Sequence, residues 1–170
     1  MQIGAGARLL IASQAPGRRA HESRVPFADR TGDNLRRWLG LERTTFYDPE
    51  LVAILPLGLC YPGRGAGGDL PPRPECAPRW QARLRAAMPE IRLTLLLGRH
   101  AQAHHLGASR RATLTETVRA FPSYLPERFP LPHPSPRNGP WLLRHPWFEE
   151  DVLPALRAEV DGALTERARR

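Results

Sequence analysis

The sequence predicts an α/β fold in which a parallel sheet is covered by helices on both faces. Two patterns carry that prediction. The strand candidates are short, continuously apolar runs, without the alternation of a sheet that faces water on one side. They are separated by segments of helical periodicity, as in parallel strands joined by crossover helices. At 170 residues the chain suits a single domain, 1–170, with a real core.

The first strand is the apolar run 8–13, stopped by Gln14-Ala15-Pro16-Gly17. A helix over 31–39 follows, with Leu35, Trp38 and Leu39 at helical spacing, Thr31 or Asp33 as N-cap and Gly40 as the stop. Val52-Ala53-Ile54-Leu55 is the second strand. The stretch 58–78 behind it holds many of the glycines and prolines and is a long loop; such loops in compact domains are usually functional or disordered. A helix over 78–88 is expected to carry Trp80, Leu84 and Met88 on one face. The third strand is 93–97, ending at Gly98, and a short helix covers 100–106. Residues 113–118 suit either strand or helix. The fourth strand is 129–132, and a last helix runs over 147–168 with Pro154 near its start. Ligands of parallel sheets bind beyond the carboxyl ends of the strands. The loops 14–27, 56–68 and 133–138 are therefore expected to converge on one cleft.

Charge narrows the function. There are 25 basic and 17 acidic residues, a net charge of +8, and every basic residue is arginine. Without lysine, side-chain imine chemistry, a pyridoxal enzyme and a P-loop are excluded. Arginine is a permanent planar cation matched to phosphate, so the charge points to an anionic partner, nucleic acid first. No apolar run nears the ~20 residues of a membrane span. Residues 1–8 lack a secretion-signal pattern, and two cysteines are too few for a disulfide scaffold. A cytoplasmic monomer without membrane contact is expected.

Two loops carry chemistry. In Gln14-Ala15-Pro16-Gly17, proline and glycine make a tight turn whose N–H groups suit a carbonyl or phosphate oxygen. Arg18 and Arg19 add charge beside it. His21 and Glu22 are an adjacent proton-transfer pair, and Phe27 offers a flat apolar face. In His133-Pro134-Ser135-Pro136, two prolines stiffen a loop presenting an imidazole and a hydroxyl, with Arg137 and Asn138 directly after. His100 and His104 share a helix face, but no third metal ligand has suitable spacing, and a solvated face is the simpler reading.

These residues resemble the uracil-DNA glycosylase superfamily, and most of all its iron–sulfur branch, the family 4 type. The family's first motif, Gly-Glu-Ala-Pro-Gly followed by Pro-Phe, stands here as Ser13-Gln14-Ala15-Pro16-Gly17 with Pro26-Phe27. Its last motif, His-Pro-Ser, stands as His133-Pro134-Ser135. The two lie in order at opposite ends of nearly the whole chain. The resemblance implies a three-layer α/β/α sandwich with a central four-stranded parallel sheet, and hydrolysis of a base from DNA after extrusion of its nucleotide. It further implies backbone donors from Gln14 and Ala15 to the base, stacking by Phe27, and a hydrogen bond from His133 to the base oxygen that gains charge. Ser135 would hold a phosphate, with Gly17, Arg18, Arg19, Arg137 and Asn138 along the DNA backbone.

The departures carry information. Some relatives have an aspartate where Ala15 stands; here His21 or Glu22 is the candidate for positioning water. Pro56 occupies the place of an asparagine that reads uracil, which leaves the backbone of Leu57 or Gly58 for that task. Cys60 and Cys76 match the second pair of iron–sulfur ligands, but the Cys-x-x-Cys that supplies the first pair is absent from the sequence. A [4Fe–4S] cluster would need two further cysteines from a longer N-terminus.

The leading expectation is a monofunctional glycosylase of base excision repair, removing uracil or a related deaminated base from DNA without strand cleavage. An alternative is a damaged-DNA-binding protein of the same fold with little turnover, given Ala15 and Pro56. A third is a nucleotide-binding α/β domain for small molecules. Arg110 and Arg111 are a further candidate DNA contact. Replacing both with alanine is expected to reduce the slope of log binding constant against log salt by about 2, read from DNA titrations at several salt concentrations.

Overall fold

The structure, a computed structural model, describes residues 1–165. Four strands form the central sheet: β1 (Leu9–Ser13), β2 (Val52–Pro56), β5 (Leu93–Leu97) and β6 (Arg128–Leu131). Between β2 and β5 lie two short strands, β3 (Arg64–Gly65) and β4 (Gly68–Asp69), paired as an antiparallel hairpin. The sheet order is β2-β1-β5-β6 and every pairing is parallel, with Leu9 opposite Val52 and Leu93, and Thr94 opposite Arg128.

The pleat of β1 explains the layers. Leu9 and Ile11 point into a large apolar cluster with Leu35, Trp38 and Leu39 of α2 (Arg30–Leu39) and with Leu156 and Val160 of α8 (Leu153–Thr165). Leu10 points the other way, to Leu55 and Met88, and Ala12 to Leu96, Ala101 and Leu106. The helices on that face are α4 (Cys76–Ala86) and α5 (Gly98–Leu106). The three-layer α/β/α sandwich with a four-stranded parallel sheet is as expected, and continuous apolar strands follow from burial on both sides. The open edge of β2 is covered by Gln2, which exchanges two backbone hydrogen bonds with Ile54 at 2.9 and 2.8 Å.

Several local expectations need correction. The N-cap of α2 is neither Thr31 nor Asp33 but Asp29, whose carboxylate accepts from the Thr31 and Gly32 N–H groups. Gly40 ends that helix in the left-handed region, as expected. Residues 18–23, expected within a loop, form the helix α1 (Arg18–Ser23), and α3 (Arg43–Phe46) follows α2. The stretch 58–78 is not all loop: it holds the β3–β4 hairpin and the start of α4. Within α4 the one buried residue is Gln81; Trp80 lies under the guanidinium groups of Arg79 and Arg83, and Met88 is beyond the helix end. Residues 113–118 resolve as the helix α6 (Leu114–Arg119), because Thr113 and Glu116 close a capping box. A short helix, α7 (Gly139–Arg144), precedes a π-helical turn at Phe148–Val152 that leads into α8. The expected extension of that helix to 166–168 lies outside the described residues. Among the described residues no helix is long and apolar enough to cross a membrane.

His105 on α5 is partly buried, and its buried Nε2 has no hydrogen-bond partner among the described residues. Burial, then the charges of His104 and Arg128, pushes its imidazole from the usual 6.5 to about 4. The folded state therefore holds the neutral ring, while the unfolded chain takes up a proton below about pH 6.5. The stability from this group is present above pH 6.5 and is lost as pH falls toward 4. Thermal unfolding between pH 7 and 4 is expected to show Tm falling across that window. His105→Leu should flatten the fall, by at most on the order of 3 kcal/mol.

Candidate functional site

At the carboxyl ends of the strands lies a cleft of about 710 Å³. Its walls come from the turn after β1 (Gln14, Ala15, Pro16, Gly17), the end of β2 (Pro56), the β3–β4 hairpin (Gly67, Gly68, Asp69) and the loop after β6 (His133, Ser135, Arg137). The three loops singled out in the sequence do meet. The N–H groups of Ala15 and Gly17 make no hydrogen bond with another described residue, which leaves two donors on the wall.

Phe27 lines the cleft in an unusual backbone state, with φ +54°. The left-handed region is costly for an aromatic residue, and it persists only where the surroundings hold it. Three groups do so. The Tyr47 hydroxyl lies 2.9 Å from the Pro26 carbonyl and 3.1 Å from that of Phe27, sharing its proton between them. Arg36 donates to the Phe27 carbonyl and lies over the Phe46 and Tyr47 rings. Gly32, in the first turn of α2, packs so closely that a Cβ there would stand 1.8 Å from the Phe27 oxygen. The Phe27 ring meets Phe46 edge-on at 6.3 Å, leaving its flank on the cleft.

His133 is held with equal care. Three carboxamides donate to the carbonyls of its loop: Gln102 to Leu131 at 2.9 Å, Asn138 to His133 at 2.6 Å and Asn34 to Pro134 at 3.0 Å. Gly98, at φ +78°, lets α5 begin against the His133 side chain. Neither ring nitrogen of His133 has a hydrogen-bond partner among the described residues. Burial lowers its pKa, and the carboxylates of Asp29 and Asp69 offset this in part. At neutral pH it is thus a neutral imidazole, with one N–H free to donate into the cleft.

Gln14, Ala15, Gly17, His21, Phe27, His133, Ser135 and Arg137 all line the cleft. Others do not. Glu22 faces solvent on α1, pairs with Arg18 at 3.8 Å and does not line the cleft. Arg18 and Arg19 are exposed on the same helix, flanking the cleft and not lining it. Leu57 and Gly58 have no amide donor left, since their N–H groups extend the sheet to the Ser13 and Gln14 carbonyls at 2.9 Å each. Asn138 braces His133 and does not line the cleft. His21 Nδ1 accepts from the Tyr61 N–H at 3.5 Å.

Two carboxylates that sequence reasoning missed, Asp29 and Asp69, both line the cleft. Asp29 had a sequence signal, a short polar residue just before a helical run. Asp69 had none, because only the hairpin carries it there. Cys60 is exposed, Cys76 is partly buried, and both are free thiols. Among the described residues no group of three or more His, Cys, Asp or Glu side chains is placed to hold a metal ion. Two thiols do not fit the four-thiolate donor set of a [4Fe–4S] cluster.

The family model of the uracil DNA glycosylase superfamily matches residues 1–157.

The support of Phe27 can be tested by unfolding in urea. Gly32→Ala is expected to destabilise by about 1–3 kcal/mol, because the new methyl group must displace backbone. Tyr47→Phe should cost about 1 kcal/mol through the lost hydroxyl contacts. Both should lower the midpoint at an unchanged m-value.

Proposed function

The chain belongs to the uracil-DNA glycosylase superfamily, and on that footing we propose that it hydrolyses the N-glycosidic bond of uracil, or a related deaminated base, in DNA. Residues 1–170 act as one glycosylase domain, as a cytoplasmic monomer on DNA. The observation that carries this reading is His133: a neutral imidazole with no ring hydrogen-bond partner among the described residues, on a braced loop of the cleft that Phe27 also lines.

The chemistry follows from the leaving group. When the bond from C1′ to the base breaks, its electron pair goes to the base, whose O2 gains negative charge. A preorganised N–H donor at that oxygen stabilises the transition state more than the ground state. His133 is that donor, and the Ala15 and Gly17 N–H groups hold a second base oxygen. Phe27 stacks on the extruded base. Ser135 and Arg137 hold the phosphate beside the extruded nucleotide, while Arg18 and Arg19 contact flanking phosphates. Water adds to C1′ and yields the free base and an abasic site.

The water needs an acceptor to orient it. Glu22 lies outside the cleft, and His21 is exposed and turned toward Tyr61. Asp29 is half-buried on the wall, and its charge acts on His133. One of its oxygens caps α2, so the other is available to orient the water. With no lysine in the chain, no side-chain amine can attack the abasic aldehyde, so strand cleavage through a lysine imine is not expected.

Uracil- and hypoxanthine-containing oligonucleotides, single- and double-stranded, test this directly. Strand scission is expected only after alkali. His133→Ala should slow base release by about 10²–10³-fold. Asp29→Asn, which keeps the helix cap, should slow it by about 10-fold or more. Tight binding of uracil-DNA without release would favour the damage-binding alternative.

A further inference from the structure

Discrimination among bases needs protein groups matched to the donors and acceptors of the base edge. Deamination of cytosine converts its ring N3 from a lone-pair acceptor into an N–H donor. A protein acceptor at that point separates uracil from cytosine.

The NH₂ groups of the carboxamide side chains are engaged elsewhere, and of these residues Gln14 alone lines the cleft. The chain has six carboxamides: Gln2, Gln14, Asn34, Gln81, Gln102 and Asn138. Each donates its NH₂ to a backbone carbonyl. Gln2 donates to Phe46 and Val52, Gln14 to Leu70, and Asn34 to Pro134. Gln81 donates to Pro56, Gln102 to Leu131, and Asn138 to His133. Pro56, on the cleft wall, has no N–H, and its carbonyl already accepts from Gln81. The Leu57 and Gly58 N–H groups are bound within the sheet.

Asp69 is placed differently. It sits on the cleft-lining arm of the hairpin, and its charge reaches His133. The Tyr61 hydroxyl donates to its Oδ1 at 3.3 Å, and Oδ2 has no hydrogen-bond partner among the described residues. The next residue ties the hairpin to the rest of the cleft: the Leu70 N–H donates to the Gly63 carbonyl at 2.9 Å, and the Leu70 carbonyl accepts from Gln14 at 2.8 Å. The backbone next to Asp69 is thereby tied to Gln14, in the turn that carries Ala15, while the Asp69 side chain is exposed on the cleft wall.

We propose that Asp69 reads the base, accepting a hydrogen bond from the ring N–H that deamination creates. This rests on the glycosylase reading and names the residue that sets its specificity. One free carboxylate oxygen matches one N–H flanked by two carbonyls, as in uracil. Against cytosine, the same oxygen meets the lone pair of N3 and repels it.

The test uses oligonucleotides carrying uracil, N3-methyluracil or cytosine, with wild type, Asp69→Ala and Asp69→Asn compared by kcat/KM and checked for folding by thermal unfolding. Asp69→Ala is expected to lower uracil release about 10- to 100-fold, the worth of a hydrogen bond to a charged group. It should also shrink the wild-type preference for uracil over N3-methyluracil by about 10-fold, since no carboxylate then meets the ring nitrogen. Asp69→Asn keeps an acceptor oxygen and should recover uracil release, while its NH₂ can turn to N3 and admit cytosine. Wild type that releases uracil, with Asp69→Ala keeping both the methyl preference and the uracil-to-cytosine ratio, overturns the role of Asp69 alone. Wild type that releases uracil from no DNA overturns the glycosylase reading, and this role with it.

Discussion

A backbone carbonyl that leaves a buried sheet must find a donor, because a buried acceptor left unpaired costs about 1–3 kcal/mol. In this protein the carboxamide side chains meet that demand. Gln81 closes the carbonyl at the end of β2, and Gln102 closes the one at the end of β6. Asn138 and Asn34 take the His133 and Pro134 carbonyls of the loop, and Gln14 takes that of Leu70 beside the hairpin. The loops of the cleft are therefore fixed by hydrogen bonds from the helices and from one another. Such preorganisation is what an N–H donor for a developing charge requires.

The same bracing allows the site to keep unfavourable features. Phe27 stays in a left-handed conformation because Tyr47, Arg36 and Gly32 leave its carbonyl no other place. Among the described residues His133 keeps two unpartnered ring nitrogens, because its loop is anchored through the backbone and not through the imidazole. Strain and unmet hydrogen-bonding capacity collect where a ligand would relieve them.

The arginines divide into two groups that composition alone could not separate. Arg8 donates to the Leu164 carbonyl, and Arg157 to those of Trp38 and Arg37, joining α8 to β1 and to the end of α2. Arg36 supports Phe27. These are structural cations. Arg24 and Arg137 line the cleft, and Arg137 reaches across it to the hairpin, where a Cβ on Gly68 would stand 3.1 Å from its guanidinium.

The four strands were legible in the sequence to within a residue or two, because burial on both faces leaves an uninterrupted apolar run that few other structures tolerate. The Pro-Gly turn and the His-Pro-Ser loop were legible too, since backbone stiffness is written in residue type. The N-cap of α2, the fate of Trp80 and the roles of Glu22, Leu57, Gly58 and Asn138 were not. Each depends on which way a side chain or N–H points once the sheet has assembled. Residue pattern alone accounts for the layers, the loops at the strand ends and the lack of a side-chain amine. Which carboxylates enter the cleft is settled only by assembly. Asp29 and Asp69 are separated along the chain by two helices, a strand and most of a hairpin. What brings them together is the closure of backbone hydrogen bonds across that distance, which local patterns do not encode.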